Sequence, residues 1–352
     1  MDSFVHQAEE AATLEKFLRA LEAMADELAD RKPEDLTFKV TVREDVPLVG
    51  ILGNLINNIG IDWETQVRRE NERTIAHNRE LSQAYEALQK KNDEIQRDLD
   101  AARRVQIQLL PQPGDAARCQ EIEFAAHFQS KDKVGGDIYD FFRAGLNTWA
   151  FLIADVAGHG IPPALIGMFL KAAFRTRARV GARPDDICRE VNKDLCAVVG
   201  DLGLYVTAFF GIIDLETGGF RYVNCGHPPV FIHRSAARQV IRLEEKGMLL
   251  GALEEVDLEE SVFELEPGDI LLATTDGITE CRNYHNQMYG VDRLVNSFAD
   301  ACAGLGTKAT AQDIIHLVIA SLGLFSLEAA PDDDITATAF RFKARATQRG
   351  DT

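Results

Sequence analysis

The sequence predicts an α+β protein in which a long helical region precedes a domain of mixed strands and helices. Apolar residues recur every seven positions over 67–109, as in a helix that packs along a seam. From residue 121 onwards, short apolar or alternating runs are separated by turn residues, and helical segments come in consecutive pairs. This order favours antiparallel sheets over a doubly wound parallel sheet.

Residues 1–62 are predicted to form a helical regulatory region. A first amphipathic helix ends near Pro33, an extended connector covers 36–42, and a second apolar helix runs from about Val46 to Ile61. The connector carries Arg43-Glu-Asp45, and this arrangement weakly resembles a HAMP relay. The alternative is a generic helical dimerisation segment. The seam of the first helix is predicted to consist of Leu14, Phe17, Leu21, Met24 and Leu28.

Residues 63–110 are predicted to form a coiled-coil linker that ends in a regulatory helix. Asparagine at several a positions favours a two-stranded coiled coil, because buried asparagines pair across the seam and fix its register. We therefore expect a homodimer; the alternative is a single solvated helix packed on its own domain. Pro111 and Pro113 end the helix. The d positions are Val67, Thr74, Leu81, Leu88, Ile95, Ala102 and Leu109, and the a positions are Asn71, Asn78, Tyr85, Asn92, Leu99 and Gln106.

Residues 111–345 are predicted to form the α+β domain. Proline at or near the first turn marks two of its helices, and Glu216-Thr-Gly-Gly219 marks a hairpin turn. The predicted strands are 121–129, 149–156, 205–214, 220–224, 230–234, 240–243, 261–265, 270–274 and 335–342, and the predicted helices are 163–178, 184–199, 292–303 and 311–322.

Composition excludes several classes of function. The formal net charge of −18 argues against binding to nucleic acid or to anionic membranes, because both need a cationic face. The six cysteines form no C-x-x-C pair, so neither a zinc site nor a disulfide framework is indicated. The sequence shows no signal peptide and no apolar stretch long enough for a membrane span, so we expect a cytoplasmic location.

Four aspartate-bearing turns carry the chemistry that the sequence predicts. They are Val134-Gly-Gly-Asp-Ile-Tyr-Asp140, Ile153-Ala-Asp-Val-Ala-Gly-His-Gly160, Ala273-Thr-Thr-Asp-Gly277 and Pro331-Asp-Asp-Asp-Ile-Thr336. Strand ends hold side chains rigidly, and hard carboxylate oxygens without thiolates select Mg²⁺ or Mn²⁺. Converging carboxylates repel one another, and two cations would relieve that repulsion. The same cations would lower the pKa of a shared water for attack on a phosphate ester.

The chain resembles the RsbU/SpoIIE-like branch of the bacterial PPM metal-dependent phosphatases over about 101–342. The motifs that carry the resemblance are Asp155-Val-Ala-Gly-His-Gly160, Asn224-Cys-Gly-His-Pro-Pro229, Glu266-Pro-Gly-Asp-Ile-Leu-Leu272, Thr275-Asp-Gly-Ile-Thr-Glu280 and Asp333-Asp-Ile-Thr336. Residues 102–111 also look like the regulatory helix of that family. The resemblance implies an αββα sandwich with two Mn²⁺ or Mg²⁺ ions. It further implies hydrolysis of phosphoserine or phosphothreonine on a regulatory protein, a STAS-type anti-sigma-factor antagonist.

The resemblance also implies the metal ligands. Asp155 would bridge both ions, with the Val156 carbonyl as a neighbouring ligand. Asp334 is a register alternative to Asp333, because both lie in one run of aspartates. The remaining carboxylate ligands would be Asp137, Asp276 and Asp333.

Three further polar residues have open roles. His159 either donates a proton to the leaving oxygen or holds its own loop. Asp140 either supports a metal ligand or caps a turn, and His227 is interpreted as a structural residue in a rigid proline-containing loop.

Two other functions compete with the phosphatase. One is a non-catalytic signalling or binding module on a phosphatase fold. The other is a nucleotidyl cyclase, because Gly135-Gly-Asp137 is similar to the start of the GGDEF signature. Ile138 and Tyr139 depart from that signature, which also leaves the turns at 275–277 and 333–336 unexplained.

Overall fold

The computed structural model describes residues 47–112, 119–243, 247–327 and 331–343, together with scattered helical positions between 12 and 23. The predicted connector, its Arg43-Glu-Asp45 segment and the seam residues of the first predicted helix lie outside the described residues. The chain divides into two compact units, Met1–Glu94 and Ile95–Thr352.

Helix α1, Pro47–Leu109, is a single helix of 63 residues. The sequence predicted two helices here, one ending near Ile61 and a coiled coil beginning after it. The structure joins them, because no proline interrupts the backbone hydrogen bonds between these segments. The helix ends before Pro111, as predicted.

Within the first unit, the predicted seam residues Leu81, Tyr85 and Leu88 are each more than 60% exposed.

None of the helices in the described part of the chain has the length and apolar character needed to cross a membrane.

The second unit contains two five-stranded antiparallel sheets. The first sheet has the order β1-β10-β9-β6-β7, and the second has the order β2-β3-β4-β5-β8. The strands are β1 Ile122–Gln129, β2 Ile138–Arg143, β3 Thr148–Val156, β4 Val206–Asp214, β5 Gly219–Cys225, β6 Val230–Arg234, β7 Gln239–Leu243, β8 Ser261–Glu264, β9 Ile270–Thr274 and β10 Ile335–Phe342. Its helices after α1 are α2 Ile161–Arg177, α3 Pro184–Val199, α4 Asp276–Thr279, α5 Gly290–Leu305 and α6 Ala311–Ser326.

Three hydrophobic clusters stack these elements into four layers. A central cluster joins the two sheets, with Phe340 of β10 packed edge-on against Phe151 of β3 and Phe220 of β5. A second cluster packs α2 and α3 on the sheet that contains β3, and a third packs α5 and α6 on the sheet that contains β10. This helix–sheet–sheet–helix arrangement confirms the predicted αββα sandwich.

Most predicted strands and helices have the predicted bounds to within two or three residues, but strand β2 was missed. The sequence predicted a turn at 134–140. Five of the six residues of β2 are buried, so both of its faces are covered and no alternation of polar and apolar residues marks it. Asp140, which lies in the middle of this strand, also interrupts the apolar run.

Candidate metal centre

The four aspartate turns meet at one end of the sandwich. Asp137 immediately precedes β2. Asp155 is the penultimate residue of β3, which pairs with β2 in antiparallel orientation. In the other sheet, Asp276 follows β9, and Asp333 precedes β10, which pairs with β9. Because neighbouring antiparallel strands begin and end at the same edge, both pairs of turns come to one rim of their sheets.

Asp137 connects the two sheets. Its carboxylate Oδ2 accepts hydrogen bonds from the hydroxyls of Thr275, at 2.7 Å, and Thr336, at 2.6 Å. All three side chains are buried. Burial raises the pKa of Asp137 well above its usual value, and the nearby charge of Asp155 adds to the rise. The two threonines were present in the quoted motifs, but the sequence analysis gave them no role.

Asp155 lies near several other carboxyl groups. Its half-buried carboxyl has a pKa raised to about 7, first by burial and then by the charges of Asp276 and Asp333. The pKa of Asp276 is raised by burial, followed by the charges of Glu280 and Asp333. For both Asp155 and Asp276, burial is thus the first cause of the raised pKa and neighbouring carboxylates are the second.

Asp333 and Asp334 have different surroundings. The buried Asp334 carboxylate accepts backbone N–H groups of the 131–137 loop, from Lys131 at 2.8 Å and from Asp137 at 3.3 Å. Asp333 is exposed, and one of its oxygens accepts the N–H of Asp334 at 2.8 Å. Asp334 is therefore engaged in holding a loop, and of the two residues Asp333 has the more available oxygens.

Two glycines allow the backbone to close around these carboxyls. A Cβ on Gly136 would lie 2.6 Å from the Val156 carbonyl oxygen, and a Cβ on Gly277 would lie 1.9 Å from the Asp334 carbonyl oxygen. Neither distance is possible for a real side chain against backbone. The Val156 carbonyl, the predicted neutral ligand, accordingly faces the residue that directly precedes Asp137.

His159 contacts Asp132, a residue that the sequence analysis did not single out. Its Nδ1 lies 2.7 Å from Asp132 Oδ2, and the imidazole is 68% exposed. This contact ties the loop after β3 to the loop before β2. It agrees with a loop-holding role and leaves the proton-donor role a prediction.

His227 is buried in the loop after β5. Its Nδ1 lies 3.0 Å from the Thr207 hydroxyl, and Asn224 binds both its backbone N–H and its carbonyl. Burial lowers the pKa of His227 to about 3, so the ring is neutral at physiological pH. Thr207 pairs with Asp155 across β3 and β4. The contacts agree with the structural role expected for His227.

Asp140 is not part of the carboxylate cluster. It lies within β2, not in a turn, and its fully buried carboxylate contacts Lys171 and Arg175 of α2. The predicted role as a turn cap is therefore wrong, and the alternative, an indirect support of the metal ligands, stays a prediction. Its partners are 31 and 35 residues away in sequence, which is why no local pattern indicated them.

The residues of this rim fit divalent cations in their chemistry. The donors are carboxylate oxygens and a backbone carbonyl, the hard ligands that Mg²⁺ and Mn²⁺ prefer. In the part of the chain that the structure describes, no three His, Cys, Asp or Glu side chains are arranged as a preformed metal site. Burial and neighbouring carboxylates raise the pKa values of Asp155 and Asp276, and a bound cation would offset the repulsion among these charges.

The chain is similar to known proteins over most of the α+β domain. Residues 146–343 match the family model described as stage II sporulation protein E (SpoIIE). Protein IcfG of Synechocystis is 30% identical over 248 residues, which cover 62% of this chain and 38% of that protein. The phosphoserine phosphatase RsbU of Bacillus subtilis is 29% identical over 201 residues, 57% of this chain and 58% of that protein. The matches thus span less than two thirds of either relative.

Solved structures show the same fold. The SiaA-PP2C domain of Pseudomonas aeruginosa superposes with a TM-score of 0.62 and 25% identity, covering 72% of this chain and 98% of that chain. The structure of the PP2C phosphatase domain with a regulatory fragment of SpoIIE from Bacillus subtilis gives a TM-score of 0.55 and 23% identity, covering 64% and 63%.

Proposed function

This chain belongs to the SpoIIE family, and from that premise we propose that it is a metal-dependent protein serine/threonine phosphatase. The observation that carries the proposal is the convergence of Asp137, Asp155, Asp276 and Asp333 at one rim, where the pKa of Asp155 is raised to about 7 partly by its neighbours' charges. A cluster with this surplus of negative charge favours a cationic ligand over an uncharged one.

Two Mn²⁺ or Mg²⁺ ions would be held by four carboxylates and one carbonyl. Asp155 would contact both ions, and the Val156 carbonyl, Asp137, Asp276 and Asp333 would complete the ligand set. When bound, such ions lower the pKa of a bound water and neutralise the oxygens of a phosphoryl group.

The protein's own residues would fix where those ligands lie. Thr275 and Thr336 hold one oxygen of Asp137, and Asp334 holds the 131–137 loop through its backbone N–H groups. These contacts keep the ligands from relaxing away from one another as a substrate arrives, which is the preorganisation that catalysis by charge requires. No protein nucleophile is needed for attack by activated water.

His159 has two candidate roles in this reaction. Its contact with Asp132 supports loop anchoring, and the same contact would orient the imidazole if it protonates the leaving oxygen. A serine leaving group needs that proton and a p-nitrophenolate leaving group does not. His159→Gln would therefore slow hydrolysis of a phosphoserine peptide alone if the imidazole is the proton donor, and of both substrates if it anchors the loop.

The proposed substrate is a phosphoserine or phosphothreonine on a regulatory protein. The relative named phosphoserine phosphatase RsbU supports the reaction class. The family resemblance supports a STAS-type anti-sigma-factor antagonist as the partner, and a cytoplasmic location goes with a partner that acts on transcription. An overall charge of −18 makes a substrate with a basic surface around its phosphorylated residue the better electrostatic match.

Control by the helical region is part of the proposal. Within the second unit, Gln106 of α1 pairs with both backbone groups of Gly135: its Nε2 donates to the carbonyl at 2.7 Å, and its Oε1 accepts the N–H at 3.3 Å. Lys133 adds an ion pair with Asp100 at 2.6 Å. A displacement of this helical segment would release the loop that leads into Asp137. In the first unit, the exposed seam residues support a homodimer through the coiled coil.

The direct test is Mn²⁺-dependent hydrolysis of p-nitrophenyl phosphate and of a phosphoserine peptide. We expect Asp155→Asn and Asp276→Asn to lower kcat/KM at least about a hundredfold, because each removes a ligand of the centre. Asp300→Asn, an exposed aspartate on α5, is the matched control and should match the parent.

Equal rates in the parent and both ligand variants would contradict the assignment. Absence of both hydrolysis and Mn²⁺ binding by calorimetry would favour the non-catalytic module instead. Family membership removes the basis of the cyclase alternative, which rested on Gly135-Gly-Asp137 alone.

A further inference from the structure

We propose that Asp140, Lys171 and Arg175 form an ionic clamp around a buried carboxylate, that this clamp sets the spacing between the loop before β2 and the loop before α2, and that these three are positioning residues for the metal centre. The inference rests on the proposed phosphatase site and adds residues that have no ligand role in it.

The clamp is built around one carboxylate with no exposed surface. Lys171 Nζ lies 2.6 Å from Asp140 Oδ1, and Arg175 binds the same carboxylate with Nε on Oδ2 and Nη2 on Oδ1, the latter at 2.9 Å. The backbone N–H of Phe141 also donates to Oδ1 at 2.9 Å. The Arg175 guanidinium stacks on the ring of Phe142 at 4.9 Å. Both oxygens of Asp140 are thus held in a defined direction.

The clamp joins the two elements that carry the first two aspartates. Asp140 is three residues after Asp137 along β2, and Lys171 and Arg175 lie on α2, whose first residue follows the Asp155–Gly160 loop directly. Asp155 itself is held beside β2 by the pairing of β3 with β2, so a movement of α2 relative to β2 would act on the segment between Asp155 and α2 and on its contact with the loop before Asp137.

Close packing in the N-terminal half of α2 couples the position of this helix to β2 and to the loop before Asp137. A Cβ on Gly167 would lie 2.7 Å from Ile138 Cγ2 and 3.2 Å from the Gly136 carbonyl oxygen. Helix α2 therefore rests on the first residue of β2 and on the residue before Asp137. The helix lies too close to β2 at this point to shift without moving β2 as well.

Energetics argue that the clamp is present for geometry more than for stability. Taking the Asp140 carboxylate and the Lys171 ammonium out of water has a large desolvation cost, and apolar residues of similar volume often stabilise such a position better. What apolar residues cannot supply is a fixed direction, because hydrophobic contacts are non-directional whereas a two-pronged guanidinium–carboxylate pair fixes both distance and angle. A fixed distance between α2 and β2 is what a pair of metal-binding loops would need.

The test compares variants within α2 that keep most of the clamp intact. Lys171→Met leaves the Asp140–Arg175 pair, and Arg175→Gln leaves the Asp140–Lys171 pair, so neither strands a buried carboxylate. Arg175→Lys keeps the charge but loses the two-pronged geometry. Arg177→Gln is the matched control, since Arg177 makes its ion pairs with Glu190 and Asp194 of α3 and none with β2.

Mn²⁺ binding to the full chain by calorimetry is the readout, with thermal unfolding measured alongside. We expect Lys171→Met and Arg175→Gln to weaken Mn²⁺ binding about tenfold, the scale of residues that orient metal ligands. We expect Arg175→Lys to fall between them and the parent, and Arg177→Gln to bind as the parent does even though it also loses ion pairs. Excess Mn²⁺ should restore most of kcat in the clamp variants, because they keep every ligand.

Parent-like Mn²⁺ affinity in Lys171→Met and Arg175→Lys would overturn the inference, and so would an equal loss in Arg177→Gln. If Arg175→Gln does not fold, the Mn²⁺ affinity of Arg175→Lys still tests the inference, because this variant retains the positive charge beside Asp140. A parent that binds Mn²⁺ without hydrolysing phosphate esters would contradict the proposed function and leave the clamp standing. A parent that binds no Mn²⁺ would remove both.

Discussion

Asp137 and Asp140 are three residues apart and both are buried, yet their surroundings have opposite charge. Asp140 has two cationic side chains on one carboxylate, so its site carries a surplus of positive charge. Asp137 has two neutral hydroxyls and lies near the carboxyl of Asp155. A buried carboxylate is stabilised most by a cationic partner; Asp140 has two such partners, whereas the partners of Asp137 are neutral hydroxyls. The uncompensated site is the one where a ligand from outside the chain is expected, so the comparison separates a structural aspartate from a functional cluster.

The largest contrast is expected in stability without metal. Asp140→Asn leaves the buried Lys171 ammonium and the partly exposed Arg175 guanidinium without their carboxylate, and should lower the free energy of unfolding by about 3 kcal/mol. Asp155→Asn removes a repelled carboxyl and should leave stability unchanged or raise it, while hydrolysis is lost. Thermal and urea unfolding in EDTA measure the difference. Equal destabilisation by the two substitutions would break the comparison.

The second expectation concerns pH. A carboxyl whose pKa is raised on folding binds more protons in the folded state, so metal-free stability should fall as the pH rises from about 4 to about 7 and then level off. A metal ion must displace that proton. Mn²⁺ affinity should therefore rise about tenfold per pH unit below pH 7 and flatten above it.

Calorimetry at several pH values, with buffers of different ionisation enthalpy, counts the released protons. In Asp155→Asn the steep part of the pH dependence should be absent. A parent whose affinity does not change between pH 6 and 7 would show that Asp155 is already ionised, at odds with the repulsion described above.

A smaller effect on Mn²⁺ affinity is expected from removing one of the two hydroxyls that donate to Asp137. Thr336→Val keeps the shape of the buried side chain and removes one hydrogen bond to the carboxylate. Such bonds to a charged group contribute about 1.5–3 kcal/mol, so Mn²⁺ affinity should fall roughly tenfold or more. Thr338→Val, on the same strand, removes a long bond of 3.3 Å to a carbonyl and serves as the control. Similar losses in both variants would mean that general packing matters and the contact with Asp137 does not.

The smallest effect is expected at the helix that contacts the 131–137 loop. Gln106→Leu removes both hydrogen bonds to Gly135 and should increase backbone hydrogen exchange in that loop, with a loss of Mn²⁺ affinity of only a few-fold. Gln108→Leu, on an exposed position of the same helix, is the control. Unchanged exchange in Gln106→Leu would separate this helix from the centre.

The sequence predicted the parts of this molecule that have a local signal. The strand bounds of β6, β9 and β10 were correct because each is a short apolar run between turn residues. Three of the four aspartate turns were recognisable because glycine and aspartate occur together there, and the fourth because it holds three consecutive aspartates. Asp333 and Asp334 could not be distinguished physically from the run alone, because only the folded loop shows which carboxylate accepts the N–H groups of Lys131 and Asp137.

Contacts between distant residues could not be predicted in the same way. The partners of Asp140 lie one helix away, and the sequence alone does not say which face of α2 turns towards β2. Thr275 and Thr336 are 61 residues apart and meet Asp137 only when the two sheets stack. Strand β2 itself was hidden because burial on both faces removes the alternation that marks a strand.

The position of β10 has a consequence for how the protein is made. It follows every other described strand in the chain, yet it lies between β1 and β9, and it brings Asp333 and Thr336 with it. A chain in which only the preceding strands have paired would hold Asp137, Asp155 and Asp276 without the residues that complete their surroundings. The insertion of β10 between β1 and β9 is therefore the folding step that completes the proposed metal centre.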